Sequence, residues 1–291
     1  MTDQPDHARL VERLLPAVHE AGAVIMRIHA DGVVANRKAD GSPVTAADQA
    51  AEDILLAALS SAAPGITIIS EENATSHAIS APDRFFLVDP LDGTKEFLRP
   101  DGQGAFTVNI ALIERCRPVL GIVYAPALGR LFHTCDGATA LEVSAGATRA
   151  LAVRPVPPEG AVAVASHSHR DAATDDWLAA HGIAETISIG SSLKFCLLAA
   201  GEADVYPRFG PTMEWDTSVA LRRVRLMSIR ALARRWNGTR RLVTLCCALR
   251  AGRFKHPPVM ILPMASRIIA MELLSPLAAF RRSPRLPNPC L

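Results

Sequence analysis

Apolar residues recur along the first 220 residues with spacings that predict both helices and strands. Apolar positions three or four apart predict an amphipathic helix from about Pro5 to Ala30. Three further helices are expected at residues 45–61, 171–181 and 192–201. Short runs rich in Val, Ile and Phe and bounded by turn residues predict strands, at residues 66–70, 85–89, 106–114, 118–124 and 161–166. Because helices and strands alternate, the pattern predicts an α/β (α+β) sandwich with helices covering the sheets.

One predicted strand, FFLVD, runs into a stretch with unusual chemistry, DPLDGTKEF at residues 89–97. Pro90 has no N–H to donate and is expected to end the strand, and Gly93-Thr94 is expected to begin a short helical turn. The N–H groups of Gly93 and Thr94 could then hold a phosphate oxygen.

The two carboxylates of this stretch, Asp89 and Asp92, can converge on one hard cation, with the carbonyl of Leu91 as a further oxygen ligand. Taken alone, the stretch is equally typical of a polar turn, because Asp, Pro and Gly are the usual residues of turns. Acids at the ends of other elements favour the metal site: Glu71 follows a predicted strand, and Asp216 follows a Gly-Pro turn. A set of oxygen ligands without His or Cys points to magnesium and away from zinc.

The composition is typical of a globular protein and indicates no particular function, whereas basic and acidic residues are distributed unevenly between the first 220 residues and the rest. The sequence has 291 residues, 49% of them hydrophobic, and its six cysteines show no C-x-x-C or zinc spacing, so we expect reduced thiols. The N-terminus lacks the basic start and unbroken apolar core of a secretory signal, so we expect a cytoplasmic protein. Residues 1–220 carry 16 basic and 28 acidic side chains, whereas residues 221–291 carry 15 basic and 1 acidic.

Several blocks together resemble the inositol monophosphatase superfamily of magnesium-dependent, lithium-sensitive phosphatases. The signature of that superfamily is similar to FLVDPLDGT here, and its G-E-E motif to SEE. Within the superfamily the sequence most resembles the bacterial 3'(2'),5'-bisphosphate nucleotidases; the similar stretches are KADGSPVTAAD, LVDPLDGTKEF, FTVNIALIE, GIVYAPALG, SIGSSLKFC and YPRFGPTMEWDT. The resemblance implies a layered αβαβα sandwich and hydrolysis of the small nucleotide 3'-phosphoadenosine 5'-phosphate to AMP. An inositol phosphate or sugar phosphate is the alternative substrate, although D-G-T-T-N would then be expected in place of D-G-T-K-E.

The resemblance also implies roles for single residues. Two or three Mg²⁺ ions would be bound by Glu71, Asp89, Asp92, Asp216 and the carbonyl of Leu91. Thr94 and Asp48 would orient and deprotonate the attacking water. Substrate contacts are implied for Glu71, Asp92, Gly93, Thr94, Ser166, His169, Ser191, Lys194, Arg208 and Asp216.

Some of these residues have a purely structural alternative. Asp48 closes the pattern Thr45-Ala-Ala-Asp48, a capping box in which its carboxylate only satisfies backbone N–H groups. Ser191 could cap the helix that follows it, Lys194 could be a solvated helix charge, and His169 could sit in a turn. The sequence alone favours the cap for Asp48, and the resemblance favours catalysis.

The resemblance ends at about Val219, where the basic segment begins. We expect an N-terminal half at residues 1–155, the start of a C-terminal half at 156–220, and an anomalous segment at 221–291. The abrupt change to Arg, Leu, Ala and Pro suggests a translated shifted reading frame, which would pack poorly. Two outcomes stay open: a working metal-dependent phosphatase whose C-terminus has diverged, or a non-catalytic or unstable product. Binding of nucleic acid by this segment is not favoured, because its arginines lack interleaved aromatic residues. Peripheral membrane association stays open, and the prolines and charges of residues 257–280 argue against a transmembrane helix.

Overall fold

The computed structural model describes residues 7–32, 35–37, 43–115, 117–134, 139–168, 170–209, 213–218 and 259–261. The helices are α1 (His7–Asp31), α2 (Ala46–Ala62), α3 (Thr94–Leu98), α4 (Ala172–Ala180), α5 (Leu193–Ala199) and α6 (Glu214–Thr217). The strands are β1 (Ala35–Arg37), β2 (Pro43–Thr45), β3 (Thr67–Ser70), β4 (Arg84–Asp92), β5 (Thr107–Glu114), β6 (Arg117–Ala125), β7 (Arg130–Thr134), β8 (Ala140–Ser144), β9 (Ala147–Ala150), β10 (Val162–Ser166), β11 (Glu185–Ile189), β12 (Tyr206–Arg208) and β13 (Val259–Ile261).

The largest sheet of the described chain has seven strands in the order β3-β4-β5-β6-β7-β8-β9. Strands β3 and β4 are parallel, and every later pair is antiparallel. Apolar residues fill both faces of the central strands, because alternate side chains of a strand point in opposite directions. Phe86 and Val88 of β4 pack in the same cluster as α1 and α2, whereas Phe85 and Leu87 pack on the opposite face.

A smaller sheet lies in the C-terminal part, where β10 and β11 pair in parallel and Ala163 of β10 bridges to Val205. Alternation again buries both faces. Val162 and Val164 contact residues of α5, and Ala163 packs with Leu178 of α4. Helix α5 also contacts the large sheet through Leu193 and Cys196. The order is therefore α1 and α2, large sheet, α5, small sheet, α4, which confirms the predicted layered sandwich.

Ion pairs also tie the two parts together. The Arg130 guanidinium of β7 contacts buried Glu142 on β8 and Glu202 just after α5, each at 2.6 Å. Hydrogen bonds and charge from these two carboxylates raise the pKa of Arg130 despite its burial. The site described below draws residues from both parts, so this link helps to hold its two sides in register.

The predicted helices are confirmed, but the prediction that Pro90 ends its strand is wrong. Strand β4 continues to Asp92, with a register shift against β5 between Asp89 and Asp92. Pairing of β4 with β3 already ends at Val88, and Pro90 lies in the shifted stretch, so its missing N–H removes no ladder hydrogen bond. The strands that were not predicted have three to five residues each, and all but β13 contain polar residues: β1, β2, β7, β8, β9, β11, β12 and β13.

Most of the anomalous basic segment, and with it the shifted-frame hypothesis, lies outside the described residues. Within that segment, Val259–Ile261 pairs antiparallel with β12. The division into residues 1–155, 156–220 and 221–291 stays a prediction. None of the described helices is long and apolar enough to cross a membrane.

A shifted frame predicts that trypsin cuts the segment after residue 220 rapidly at its many arginines, while residues 7–209 resist. The reason is that an unselected sequence has no apolar pattern matched to the sheets. Limited proteolysis followed by intact mass measurement tests this. Equal resistance of the two parts would refute the hypothesis. As an independent control, the nucleotide sequence past codon 217 can be translated in all reading frames to see whether another frame continues the family pattern.

Candidate active site

Three carboxylates from distant parts of the chain converge at one edge of the large sheet. Glu71, Asp89 and Asp216 each offer one oxygen, and these oxygens lie within 4.8 Å of one another. The parallel pairing of β3 with β4 explains two of them, since the Glu71 N–H donates to Val88 O at 3.0 Å and so places Glu71 beside Asp89. The third arrives on α6. Such an arrangement of oxygen donors can hold a divalent cation.

Asp89 is the most deeply buried of the three, with 1% of its surface exposed. Its Oδ1 accepts a hydrogen bond from Leu91 N–H at 3.1 Å, whereas its buried Oδ2 has no hydrogen-bond partner among the described residues. Burial, followed by the charges of Glu71, Asp92 and Asp216, raises the pKa of Asp89 well above its usual value. A buried carboxylate oxygen without a donor, facing other carboxylates, fits a site for a hard cation.

Asp92 is not a member of this group of three. Its Oδ2 accepts hydrogen bonds from the Ser192 N–H at 2.6 Å, from the Ser192 hydroxyl at 2.6 Å and from Asn109 Nδ2 at 3.2 Å. Burial raises the pKa of Asp92, and the charge of Lys194 and the hydrogen bonds from Ser192 oppose that rise. Sequence analysis missed Ser192 and singled out its neighbour Ser191, because nothing local identifies a contact 100 residues away.

Asp48 and Thr94 lie next to each other, although 46 positions separate them in the chain. The Thr94 hydroxyl is 3.3 Å from Asp48 Oδ1 and 3.2 Å from the carbonyl oxygen of Leu91. The other oxygen of Asp48, Oδ2, accepts from the N–H and the hydroxyl of Thr45, both at 2.7 Å. The capping box is therefore present at the start of α2, and it occupies the oxygen that does not face Thr94.

Asp216 is held by its neighbour Trp215, which packs on the large sheet. Trp215 shares a cluster with Phe85 and Leu87 of β4 and stacks on the His77 ring at 5.1 Å. His77 is fixed in turn by a 2.8 Å contact between its Nε2 and Ser70 O. The Met213 N–H donates to Asp216 Oδ2 at 3.1 Å. The anchor of α6 is therefore built from residues that precede it in the chain.

The predicted substrate residues come from several elements. Lys194 is buried; its Nζ donates to Ser191 O at 2.6 Å and lies 5.5 Å from the centre of the Tyr206 ring. Burial lowers the pKa of Lys194 to about 8 and raises that of Tyr206 to about 12. Arg208 is two residues beyond Tyr206 on β12 and acts electrostatically on both groups.

The remaining predicted residues border this region or lie outside it. Ser166 is buried at the end of β10. Ser191 adopts a positive φ of 50°, and its hydroxyl accepts from Leu193 N–H at 3.2 Å, so the helix-capping alternative is partly realised. Gly93 has φ 90°, and a Cβ there would lie 3.0 Å from Ala105 O and 3.2 Å from Ser191 Cβ, which explains the glycine. His169 lies outside the described residues.

Sequence analysis also gave no role to Glu96, the last acid of D-G-T-K-E. Its side chain is buried, and Oε1 accepts from the Ser168 hydroxyl at 2.6 Å. Gly190 makes room for it, since any side chain at position 190 would collide with Glu96. The sequence signal was the departure from D-G-T-T-N. Glu96 joins the loop after β10 to the turn that carries Asp92 and Thr94.

Comparisons with known proteins agree with this fold and site. The model of the inositol monophosphatase family matches residues 7–220. The 3'(2'),5'-bisphosphate nucleotidase CysQ of Salmonella typhimurium is 44% identical over 212 residues, covering 72% of this chain and 84% of the relative. The same-named protein of Escherichia coli strain K12 is 42% identical over 215 residues, with the same coverage. The chain belongs to the inositol monophosphatase family.

Solved structures lead to the same family. CysQ from Bacteroides thetaiotaomicron, described as a bacterial member of the inositol monophosphatase family, superposes with a TM-score of 0.63 at 35% identity, covering 75% of this chain and 86% of that one. Mycobacterium tuberculosis SuhB gives a TM-score of 0.60 at 24% identity, with 76% and 85% covered, and shares the fold.

Proposed function

We propose that this chain is a magnesium-dependent phosphatase that hydrolyses 3'-phosphoadenosine 5'-phosphate to AMP and phosphate. The observation that carries the proposal is the convergence of Glu71, Asp89 and Asp216, with a buried Asp89 oxygen that has no hydrogen donor. The substrate class rests on relatives that are 42–44% identical and are named 3'(2'),5'-bisphosphate nucleotidases. The substrate is thus a small molecule.

The acidic region would hold two or three Mg²⁺ ions. In this proposal Glu71, Asp89 and Asp216 hold one ion, and Asp92 and the carbonyl of Leu91 contribute further oxygen ligands. Bound magnesium would neutralise charge on the phosphoryl oxygens and lower the pKa of a water molecule. The protein contributes fixed carboxylates, so that little rearrangement is needed when charge develops on the phosphoryl group.

Asp48 and Thr94 would position the attacking water. The Thr94 oxygen accepts a hydrogen bond from the water, while the Thr94 proton is directed to Asp48 Oδ1, 3.3 Å away. As the water oxygen forms its bond to phosphorus, the bond from phosphorus to the 3'-oxygen of the nucleotide would break. The water proton would pass to Thr94 and the Thr94 proton to Asp48, while the departing 3'-oxygen would take a proton from solvent to give the hydroxyl of AMP. Because water attacks phosphorus directly, no phosphoenzyme forms. Because Thr45 holds the other carboxylate oxygen, Asp48 is kept in the orientation that this transfer needs.

The two phosphates of the substrate would meet different groups. Gly93 and Thr94 lie at the start of α3, and their N–H groups would donate hydrogen bonds to the reacting phosphate. Lys194 and Arg208, with Ser166, Ser191 and His169, would contact the nucleotide and its second phosphate. Lys194, whose pKa lies near 8, would become more fully protonated as the phosphate arrives, because a nearby anion favours the charged form.

Phosphate release from 3'-phosphoadenosine 5'-phosphate tests the proposal. We expect turnover with Mg²⁺, none with EDTA, and inhibition by lithium. Because two phosphates must be recognised, the specificity constant should exceed that for inositol 1-phosphate by at least roughly tenfold, or about 1.4 kcal/mol. Equal rates with and without EDTA would refute the metal mechanism. Comparable specificity constants would favour the inositol or sugar phosphate alternative, and no turnover of either would favour an inactive product.

A further inference from the structure

Ser192 occupies a junction in the acidic region that the proposed reaction does not use. It is fully buried, and it lies between two acids that are 124 positions apart in the chain, Asp92 and Asp216. Its hydroxyl is 2.6 Å from Asp92 Oδ2 and 2.8 Å from the backbone oxygen of Asp216. One small side chain therefore touches both the turn after β4 and helix α6.

Asn109 completes the arrangement. Its Nδ2 carries two hydrogens and donates to two acceptors, Ser192 Oγ at 2.9 Å and Asp92 Oδ2 at 3.2 Å. Asn109 lies directly opposite Asp89 in the antiparallel pairing of β4 with β5, so the large sheet fixes its position. The Ser192 oxygen thus accepts from a group on the rigid sheet, and its single proton is left for Asp92 or Asp216.

The consequence for Asp92 is an unequal use of its two oxygens. Oδ2 receives three donors, two of them from Ser192, whereas Oδ1 takes part in no hydrogen bond among the described residues. Donors that fix one oxygen of a carboxylate orient the other, and groups that orient metal ligands in this way raise metal affinity. Immediately before Ser192, Ser191 adopts a positive φ of 50°, a backbone conformation that is uncommon for a residue other than glycine.

We propose that Ser192 is a positioning residue that presents Asp92 Oδ1 to a divalent cation and sets its distance from Asp216. It acts through Asp92 and does not touch the substrate. The inference rests on the proposed metal site. It predicts that loss of the hydroxyl weakens the cation bound by Asp92 much more than the cation held by Glu71, Asp89 and Asp216, because Trp215 and its packing on the large sheet also hold Asp216 in place.

Titration of the full chain with Mn²⁺ alone, followed by electron paramagnetic resonance of the free ion, tests the proposal. For Ser192→Ala we expect one class of sites to weaken by about 10- to 100-fold and another to change by less than about threefold. The Ser192→Cys variant keeps the shape but has a weak donor, so it should show the same loss even if the alanine variant folds poorly. Thr174→Ala is the matched control, because it removes a buried hydroxyl that donates to Asp171 at 2.6 Å, far along the chain from the acids.

A second readout separates positioning from general damage. The Mg²⁺ concentration for half-maximal phosphatase rate should rise by the same factor, while KM for the bisphosphate at saturating Mg²⁺ stays unchanged. Unchanged Mn²⁺ affinity in both Ser192 variants would overturn the proposal, as would equal weakening of every site or a wild-type chain with one class of sites. The Mn²⁺ titration contains no substrate, so it remains decisive even if the proposed phosphatase activity fails.

Discussion

Asp48→Asn is expected to lower the phosphatase rate by on the order of 100-fold or more, the usual cost of removing a general base, with little change in melting temperature. The structure explains why the two effects separate. The capping contacts use Oδ2, which an asparagine oxygen can replace, whereas Oδ1 faces Thr94 and becomes an amide that cannot take a proton. Turnover at saturating Mg²⁺ and thermal melting of the same sample measure both.

Asp171→Asn is the matched control for this variant. Asp171 caps α4, with its Oδ1 accepting from Thr174 N–H at 2.9 Å. Because Asp171 caps a helix and makes no hydrogen bond to Thr94, the same substitution there should leave kcat near the wild-type value; kcat is the quantity compared, since the charge of Arg208 also acts on Asp171. Near-normal turnover in Asp48→Asn would instead assign Asp48 to the cap alone.

Asp89→Asn is expected to abolish the response to Mg²⁺, to lower kcat/KM by on the order of 100-fold or more because the ions supply several kcal/mol, and to stabilise the metal-free protein. The carboxylate is buried beside three other acids, and its pKa is raised. A neutral amide of the same shape removes that repulsion, so the melting temperature without metal should rise by roughly 2–4 °C for each kcal/mol gained.

The pH dependence of the metal-free protein follows from the same shift. A raised folded-state pKa contributes stability that is full below the unfolded value, about 3.9, and that is lost as pH rises through the raised pKa. The melting temperature of the metal-free wild type should therefore fall as pH rises above about 4, and this fall should be smaller in Asp89→Asn. Saturating Mg²⁺ should restore the wild type by about 2.7 kcal/mol at 100 times its Kd and should not restore the variant.

Asp204→Asn is the control for the second prediction. Asp204 is also buried, but Arg154 pairs with it at 2.9 Å and its Oδ2 accepts from Val162 N–H at 2.8 Å. The amide should therefore lower the melting temperature with and without Mg²⁺ and leave the increment due to metal intact. An Asp89→Asn protein that behaves like this control would exclude Asp89 as a metal ligand.

Local sequence predicted the elements that carry strong local signals. The 3.6-residue period of α1 and the apolar runs of β4 and β5 are properties of the local sequence and do not depend on which elements pack against them. The predicted positions of these three elements were therefore correct to within a few residues. Strand β9, with the sequence ATRA, is exposed along its length and has neither alternation nor bulk, so no local rule identifies it. Pro90 misled the analysis because the cost of proline depends on whether a neighbouring strand needs its N–H, and pairing is not a local property.

The candidate site divides in the same way. The sequence motifs identified Glu71, Asp89 and Asp216 as candidate metal ligands, and one carboxylate oxygen of each lies within 4.8 Å of the others in the structure. The roles of these residues remain proposals. The cap and the catalytic role of Asp48 were treated as exclusive alternatives, whereas the cap uses Oδ2 and the proposed catalytic role would use Oδ1. Ser192 was beyond reach of the sequence, since its importance comes from two partners that folding brings to it.

The stacking of Trp215 on His77 bears on how the position of Asp216 would respond to sequence changes after residue 218. Helix α6 has four residues, too few to stand without tertiary support, and the indole supplies that support by packing on β4. The last carboxylate of the acidic group is thereby fastened to the N-terminal half by a side chain directly beside it. This attachment of Asp216 is made by residues that precede position 219, so we expect the Asp216 carboxylate to keep its place among the other acids when residues after 218 are changed.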